Sequence, residues 1–331
     1  MSLQSAGIVG AGAWGCALAQ TARRAGRDVT LWGYEPAVVD EINESHLNST
    51  YLPGVELDAG IRATASLKEV AACDLVLLVT PAQHVRSIAG ELAFHLRPEQ
   101  TLIICAKGIE QQTGKLLSEV VGEVAPGAEI GALSGPGFAE EIAKGLPSAV
   151  TLALGTAEKA AELAGLLSHQ SFRCYASTDV IGAQVGGAGK NVLAIAAGIV
   201  QGKGLGASAH AALVTRGFAE LTRLGIALGA KRETMAGLSG LGDLILTCGS
   251  ATSRNMSLGI ALGEGRTLGD VLKSRSSVTE GVFTAGAVVE IAAAKGIDMP
   301  ICHSVHAVIA GMQTVDEAIE SLLSRPLRSE G

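Results

Sequence analysis

Short apolar runs alternate with segments of helical composition through the first half of the chain. Ala6 to Gly10 is apolar, Trp14 to Ala25 has the composition of a helix ending at Gly26, and Asp28 to Trp32 alternates polar with apolar residues. These three elements read as strand, helix and strand. Further apolar strand candidates follow at Leu75 to Thr80, Leu102 to Cys105, Glu129 to Leu133, Ala149 to Leu154 and Phe172 to Tyr175, separated by segments that suit helices. That alternation predicts an α/β fold with a mostly parallel, doubly wound, Rossmann-like sheet. Beyond about Asp179 the strand pattern stops. Long Ala/Leu/Gly-rich segments, including Val180 to Gln201, Ala207 to Leu228 and Val282 to Lys295, predict an all-helical C-terminal domain. The expected division is 1–178 and 179–331, without a Pro/Ser-rich linker, so the two parts should pack tightly around one cleft.

At 331 residues, two domains are the natural expectation. The 48% hydrophobic content is broken into short runs, and no stretch of about 18 apolar residues escapes charges or glycines. No membrane span is expected. The N-terminus has no basic region ahead of a long apolar segment, so a cytoplasmic protein is expected and not a secreted one. Cys16, Cys73, Cys105, Cys174, Cys248 and Cys302 are scattered, with no CxxC pair, and read as buried free thiols. A net charge of -7 with 3% aromatic residues argues against a nucleic-acid surface. An anionic substrate would then have to be held by a few local cations.

Gly10-Ala11-Gly12-Ala13-Trp14-Gly15 directly follows the first strand and opens the first helix. In that context GxGxxG is a dinucleotide fingerprint: Gly10 permits the tight turn, Gly12 lets a pyrophosphate approach the backbone, and the helix N-terminus offers unpaired N–H groups. After the second strand stand Tyr34 and Glu35. Glu35 falls slightly late for a ribose-binding acid, and no Arg stands ready for a 2′-phosphate, so NAD or NADP remains open. Tyr34 suits stacking on adenine or an ordinary surface position.

Three downstream segments carry a family resemblance: Cys105-Ala106-Lys107-Gly108-Ile109-Glu110, Leu133-Ser134-Gly135-Pro136-Gly137-Phe138-Ala139 and Gly186-Gly187-Ala188-Gly189-Lys190-Asn191-Val192. Together with Gly240-Leu241-Gly242-Asp243-Leu244, Ser253-Arg254-Asn255 and Glu280-Gly281, they resemble bacterial NAD(P)-dependent glycerol-3-phosphate dehydrogenase from about Gly7 to about His306. The resemblance implies interconversion of sn-glycerol 3-phosphate and dihydroxyacetone phosphate, supplying glycerol phosphate for phospholipid synthesis. It implies Lys190 as the catalytic residue. It places Lys107, Gly135, Gly137, Asp243, Ser253, Arg254 and Asn255 at the substrate. It also places Ala13, Trp14, Tyr34, Lys107, Ala139, Arg254, Val278 and Glu280 at the cofactor.

The chemistry agrees, because ketone reduction needs a hydride donor, a proton donor at the carbonyl oxygen and a clamp on the remote phosphate. Lys190 follows a Gly/Ala run against which a cofactor could lie, and its ammonium can protonate that oxygen, although a snorkelling lysine has the same spacing. An unperturbed lysine titrates near pKa 10.4, so its acid form is abundant at neutral pH and oxidation should improve as pH rises. Arg254 and Asn255 offer donors after a possible N-cap, Ser253, and plain helix capping is the alternative. Lys107 follows a strand end, where ligands meet open parallel sheets; a surface loop lysine would look alike. Asp243 suits orientation of Lys190, acceptance of a substrate hydroxyl or an N-cap, whereas the resemblance implies a nicotinamide-ribose contact for Glu280, with a first-turn helix acid as the alternative.

The histidines (His46, His84, His95, His169, His210, His303, His306) show no metal or triad spacing, so no metal is expected. The chain departs from the family pattern at Gly137, where Ser or Thr is usual, at Ala13, where Ser is usual, at Gly189, where a larger apolar residue stands, and at His210, where Lys or Arg does. A related hydroxyacid dehydrogenase and a catalytically silent NAD(P)-binding sensor are the alternative functions. A homodimer is the expected assembly.

Overall fold

The computed structural model describes residues 3–273 and 279–326, so Val278 lies outside the described residues. Among the described residues, eight strands form one sheet: β1 (Ser5–Val9), β2 (Asp28–Trp32), β3 (Ile61–Thr64), β4 (Leu75–Leu78), β5 (Thr101–Ile104), β6 (Glu129–Ser134), β7 (Ser148–Ala153) and β8 (Phe172–Ser177). Their order is β3-β2-β1-β4-β5-β6-β7-β8. The first six run parallel, whereas β7 is antiparallel to β6 and β8 runs parallel to β7. The sheet is therefore Rossmann-like, with a two-strand extension of opposite direction.

Seven strands lie where the hydrophobic runs predict them. The exception is β3, absent from the sequence reading because it is only four residues long and carries Arg62. Tertiary pairing with β2, in the register Val29↔Ile61 to Trp32↔Thr64, creates it. Ile61, Ala63 and Thr64 are buried, while exposed Arg62 pairs with Glu69 at 2.6 Å. Apolar clusters cover both faces of the sheet, one built on Ile8, Leu31 and Ile103 and the other on Val76, Leu102 and Ile104.

After β8 the chain is helical. The central helix, Val180–Gly202, is buried continuously from Gly182 to Val200. Its N-cap Asp179 accepts from Gly182 N at 2.8 Å. Among the described residues it is the single helix long and apolar enough to cross a membrane, yet 89% of its most apolar stretch is buried inside the protein. Here it is the core of the helical half. The Gly206–Ala227 helix packs beside it, and buried Glu220 from that helix accepts from the N–H groups of Ile301 and Cys302, fastening the Pro300–Ile309 helix.

Glycines set how closely these helices meet. A Cβ on Gly198 would stand 2.1 Å from the Met256 carbonyl oxygen, and one on Gly259 would stand 2.0 Å from that of Ile195. The central helix and the Arg254–Gly263 helix thus touch backbone to backbone, a contact that any side chain would force apart. Gly259→Val should cost about 3 kcal/mol or more in chemical denaturation, because no flexible side chain can yield there. Gly165→Ala, on an exposed helical position with open space around it, should instead gain about 0.5–1 kcal/mol. Equal responses from the two variants would contradict this account of the packing.

Candidate active site

The fingerprint turn has the geometry that its glycines require. Gly10 has a φ of 128°, and its N–H donates to the Trp32 carbonyl at 3.0 Å. A Cβ on Gly15 would lie 1.7 Å from the Gly10 carbonyl oxygen, so the helix Ala13–Arg24 can start only with glycine there. Gly12 is different: no atom lies within 4 Å of where its Cβ would be. The space above it is open, and no side chain caps the first turn of the helix. Its N–H groups therefore remain available to an anion. Ala139 opens a short helix, Ala139–Ala143, that packs on this one and is held from below by Arg24, which donates to the carbonyls of Ile142 and Ala143.

Beside the turn and on the helix Glu280–Ala294, buried polar atoms stand without hydrogen-bond partners: Trp14 Nε1 and Thr80 Oγ1 on the first side, Glu280 Oε2 and Thr284 Oγ1 on the second. Glu280 Oε1 takes only a long bond from the Ala82 N–H, at 3.4 Å. Burial pushes the Glu280 carboxyl up, opposed by that N–H and by the Arg254 guanidinium. Buried polar groups normally have partners. These four atoms, with the open glycine turn, fit a nicotinamide dinucleotide, whose phosphates suit the turn and whose hydroxyls suit the orphaned atoms. Tyr34 is 77% exposed, beside Trp32 at 6.3 Å between ring centroids.

The catalytic candidates converge on one carboxylate. Asp243, fully buried, receives Lys190 Nζ on Oδ1 at 2.5 Å and Lys107 Nζ on Oδ2 at 2.6 Å. Lys190 also donates to Thr247 Oγ1 at 2.9 Å, and Lys107 to the Gly135 carbonyl at 3.1 Å. The Lys107 ammonium lies 5.8 Å from the Trp14 ring centroid. Burial pulls the Lys190 ammonium down to about 8; Asp243 opposes the shift and the Lys107 charge adds to it. The ordinary lysine value expected from sequence is thus corrected by desolvation.

The glycines before Lys190 create this convergence. A Cβ on Gly186 would stand 2.3 Å from the Ser239 carbonyl, in the π-turn Leu238–Gly242 that delivers Asp243. One on Gly187 would meet Ser134 Oγ at 2.7 Å and the Lys107 stem at 3.5 Å, and one on Gly189 would meet Leu221 at 2.1 Å. The Gly/Ala run, expected to accommodate cofactor, accommodates protein at these three positions. Leu221 fills the room that a larger residue at 189 would take.

Several other candidates have definite local duties. Ser253 caps the Arg254–Gly263 helix by accepting from the Met256 N–H at 3.3 Å. Asn255 donates to Asn191 Oδ1 and accepts from the Gly281 N–H, both at 2.9 Å, tying three helices together. Arg254 is exposed at the first position of its helix. A Cβ on Gly137 would meet Ile142 Cδ1 at 2.4 Å, so a serine there would displace Ile142. His210 Nε2 is 2.9 Å from the Cys248 carbonyl, at the end of the Asp243–Gly249 helix. Sequence reading missed Thr247, although its spacing of four from Asp243 put both on one helix face. It also missed the unpartnered Ser134 hydroxyl beside Lys107.

Comparison with known proteins gives one answer for both halves. Family models of NAD-dependent glycerol-3-phosphate dehydrogenase match residues 5–160 (N-terminus) and 179–320 (C-terminus). The chain is 56% identical to glycerol-3-phosphate dehydrogenase (NAD(P)+) of Parvibaculum lavamentivorans, covering 98% of this chain and 97% of the relative. It is 54% identical to the Maricaulis maris enzyme of the same name, covering 99% and 98%. The crystal structure of glycerol-3-phosphate dehydrogenase from Coxiella burnetii superposes with a TM-score of 0.93 at 36% identity, covering 97% of this chain and 99% of that one. With its fingerprint turn, its shared buried carboxylate and this match along both halves, the chain belongs to the NAD-dependent glycerol-3-phosphate dehydrogenase family.

Proposed function

We propose that Lys190 is the proton-transfer residue in the family's interconversion of sn-glycerol 3-phosphate and dihydroxyacetone phosphate with NAD(P)(H). The observation that carries this reading is the buried Lys190 ammonium, held at 2.5 Å by a carboxylate that also holds Lys107. When bound, the nicotinamide supplies or accepts the hydride at C2 of the substrate. In reduction, Lys190 in its charged form hands a proton to the C2 oxygen; in oxidation, the neutral amine takes that proton back. Asp243 fixes the position of Nζ, and Thr247 restricts it further.

Lys107 faces the same carboxylate from the sheet side and provides the second positive charge for an anionic substrate. Arg254, exposed at a helix N-terminus, is the remote phosphate clamp, with Ser253 holding its first turn. Asn255 keeps that helix in place through Asn191 and Gly281, so its contribution is positioning. Gly135 acts through its carbonyl on Lys107, and Gly137 through its backbone. Gly10, Gly12, Ala13, Trp14, Gly15, Ala139 and Glu280 form the dinucleotide side, with Tyr34 at its outer edge.

The chain is further read as a cytoplasmic homodimer. Six unpaired cysteines suit a reducing compartment. Leu205, Ile226 and Ile245 on the helical half are 45%, 43% and 59% exposed and suit an apolar subunit contact; light scattering on the purified protein measures its mass directly.

Two kinetic outcomes follow from the geometry. Lys190→Ala should keep NADH binding while kcat for reduction falls by about 10²- to 10⁴-fold, and a kcat near wild type would remove Lys190 from its role. Since Lys190 is charged below about 8 and neutral above it, oxidation should rise with pH to about 8 and then level, while reduction should fall above that point. The Lys107 charge depresses Lys190, so Lys107→Met should move this midpoint upward. A midpoint unchanged or lowered in Lys107→Met would contradict the shared-carboxylate arrangement.

A further inference from the structure

Glu110 closes the Cys105 to Glu110 motif, three residues beyond Lys107, and has no part in the site described above. It is 6% exposed. A buried carboxylate is costly unless it is paired, and this one is gripped on both oxygens. Arg86, on the helix Val85–Ala93, donates through Nε to Oε1 and through Nη2 to Oε2, both at 2.8 Å. Thr113 Oγ1 donates to Oε2 at 2.6 Å. The backbone closes around the same residue, since the Glu110 N–H donates to the Lys115 carbonyl at 3.1 Å and the Glu110 carbonyl accepts from the Gly114 N–H at 2.9 Å.

A second hold flanks it on either side. Gln83 Nε2 donates to the Ile109 carbonyl at 2.9 Å, and Gln83 Oε1 accepts the Gln111 N–H at 3.0 Å. Ile109 is buried among the apolar residues of the helical half. Gln111 reaches that half as well, donating through Nε2 to the Phe283 carbonyl at 3.2 Å on the helix Glu280–Ala294. Next to Lys107 itself stands Gly108, where a Cβ would lie 2.6 Å from Ala82 Cβ. Every residue from Gly108 to Gln111 is thus fixed by packing or by a hydrogen bond. A lysine stem is flexible, so the place of the Lys107 ammonium depends on how firmly this backbone is set.

We propose that Glu110 is a positioning residue for Lys107: clamped by Arg86 and flanked by Gln83, it fixes the turn after β5 so that the Lys107 ammonium reaches the carboxylate it shares with Lys190. The proposal rests on the reading of Lys107 and Lys190 given above, and the clamp acts through Lys107 without touching the reacting atoms. Its fork matters as well as its charge, because a guanidinium meets a carboxylate through two parallel bonds and an ammonium meets it as a point charge. Arg86 also meets exposed Glu123 at 2.9 Å, and Glu123 pairs with Lys115. That outer ion pair leaves the Glu110 carboxylate untouched and supplies a comparison.

Steady-state reduction of dihydroxyacetone phosphate by the full-length protein, followed across pH, tests the clamp. Glu110→Gln and Arg86→Lys should each raise KM for dihydroxyacetone phosphate about fivefold while kcat stays within about twofold, because the cation facing the anion is displaced and Lys190 is not. Both should move the Lys190 midpoint upward, as Lys107→Met does, since Lys107 lowers Lys190 against the pull of Asp243. Arg86 is partly exposed, so Arg86→Lys tests the clamp even where Glu110→Gln fails to fold. Glu123→Gln, which removes the other partner of Arg86, should leave KM and midpoint as in wild type. Wild-type KM and midpoint in Glu110→Gln or Arg86→Lys, with Lys107→Met moving both, would overturn the clamp alone. An equal response from Glu123→Gln would overturn it too, by making the effect one of ion pairing in general. Wild-type KM and midpoint in Lys107→Met would overturn the shared-carboxylate reading, and the clamp with it.

Discussion

Placing a lysine head group in a nearly dry site is unfavourable by several kcal/mol unless an opposite charge accompanies it. In this protein that charge is Asp243, and it is divided between two lysines from separate parts of the chain. Lys190 comes from the middle of the central helix, Lys107 from the turn after β5, and Asp243 from the end of a π-turn. The carboxylate is fully buried and accepts on both oxygens. One negative charge for two positive ones leaves the cluster short of full compensation. Burial is what draws the Lys190 ammonium down from the ordinary lysine range, and the second positive charge on Lys107 adds to it against the opposing pull of Asp243.

Such a cluster exists only if three elements approach more closely than ordinary side chains permit. Gly186 admits the π-turn, Gly187 admits the Lys107 stem and Gly189 admits Leu221, all within one turn of Lys190. Farther along the same helix, Gly198 performs the corresponding service for the helix bearing Arg254. The glycine-rich composition, which costs helix propensity, is thus the condition for joining the sheet to the helical half at the distance the carboxylate demands. Asn255 adds polar links between three helices at the same junction.

Much of this was legible beforehand, for identifiable reasons. Strands buried on both faces write themselves as short apolar runs, so seven of the eight are visible, and β3 is missed because its four residues gain their structure from pairing with β2. The helical segments beginning near Val180 and Ala207 follow from composition. Motif context likewise gave the fingerprint turn and the lysine. Less legible were the partners. Thr247 carried a usable spacing, but nothing local indicates that Asn48 reaches Ala11 or that Glu35 turns to a tyrosine instead of capping its own helix. The Gly/Ala run before Lys190 was read as space for a ligand, whereas neighbouring protein fills it at the three glycines.

The sequence by itself determined the α/β order of elements, the glycine turn suited to a pyrophosphate, and which residues are chemically able to move a proton or grip a phosphate. These depend on local periodicity, backbone freedom and side-chain type, all of which are encoded over a few consecutive residues. Only the tertiary structure decided that Lys107 and Lys190 share Asp243, and that Lys190 titrates near 8 instead of as an ordinary lysine. Pairing and desolvation are properties of distance and burial between segments far apart in the chain, and no local pattern contains them.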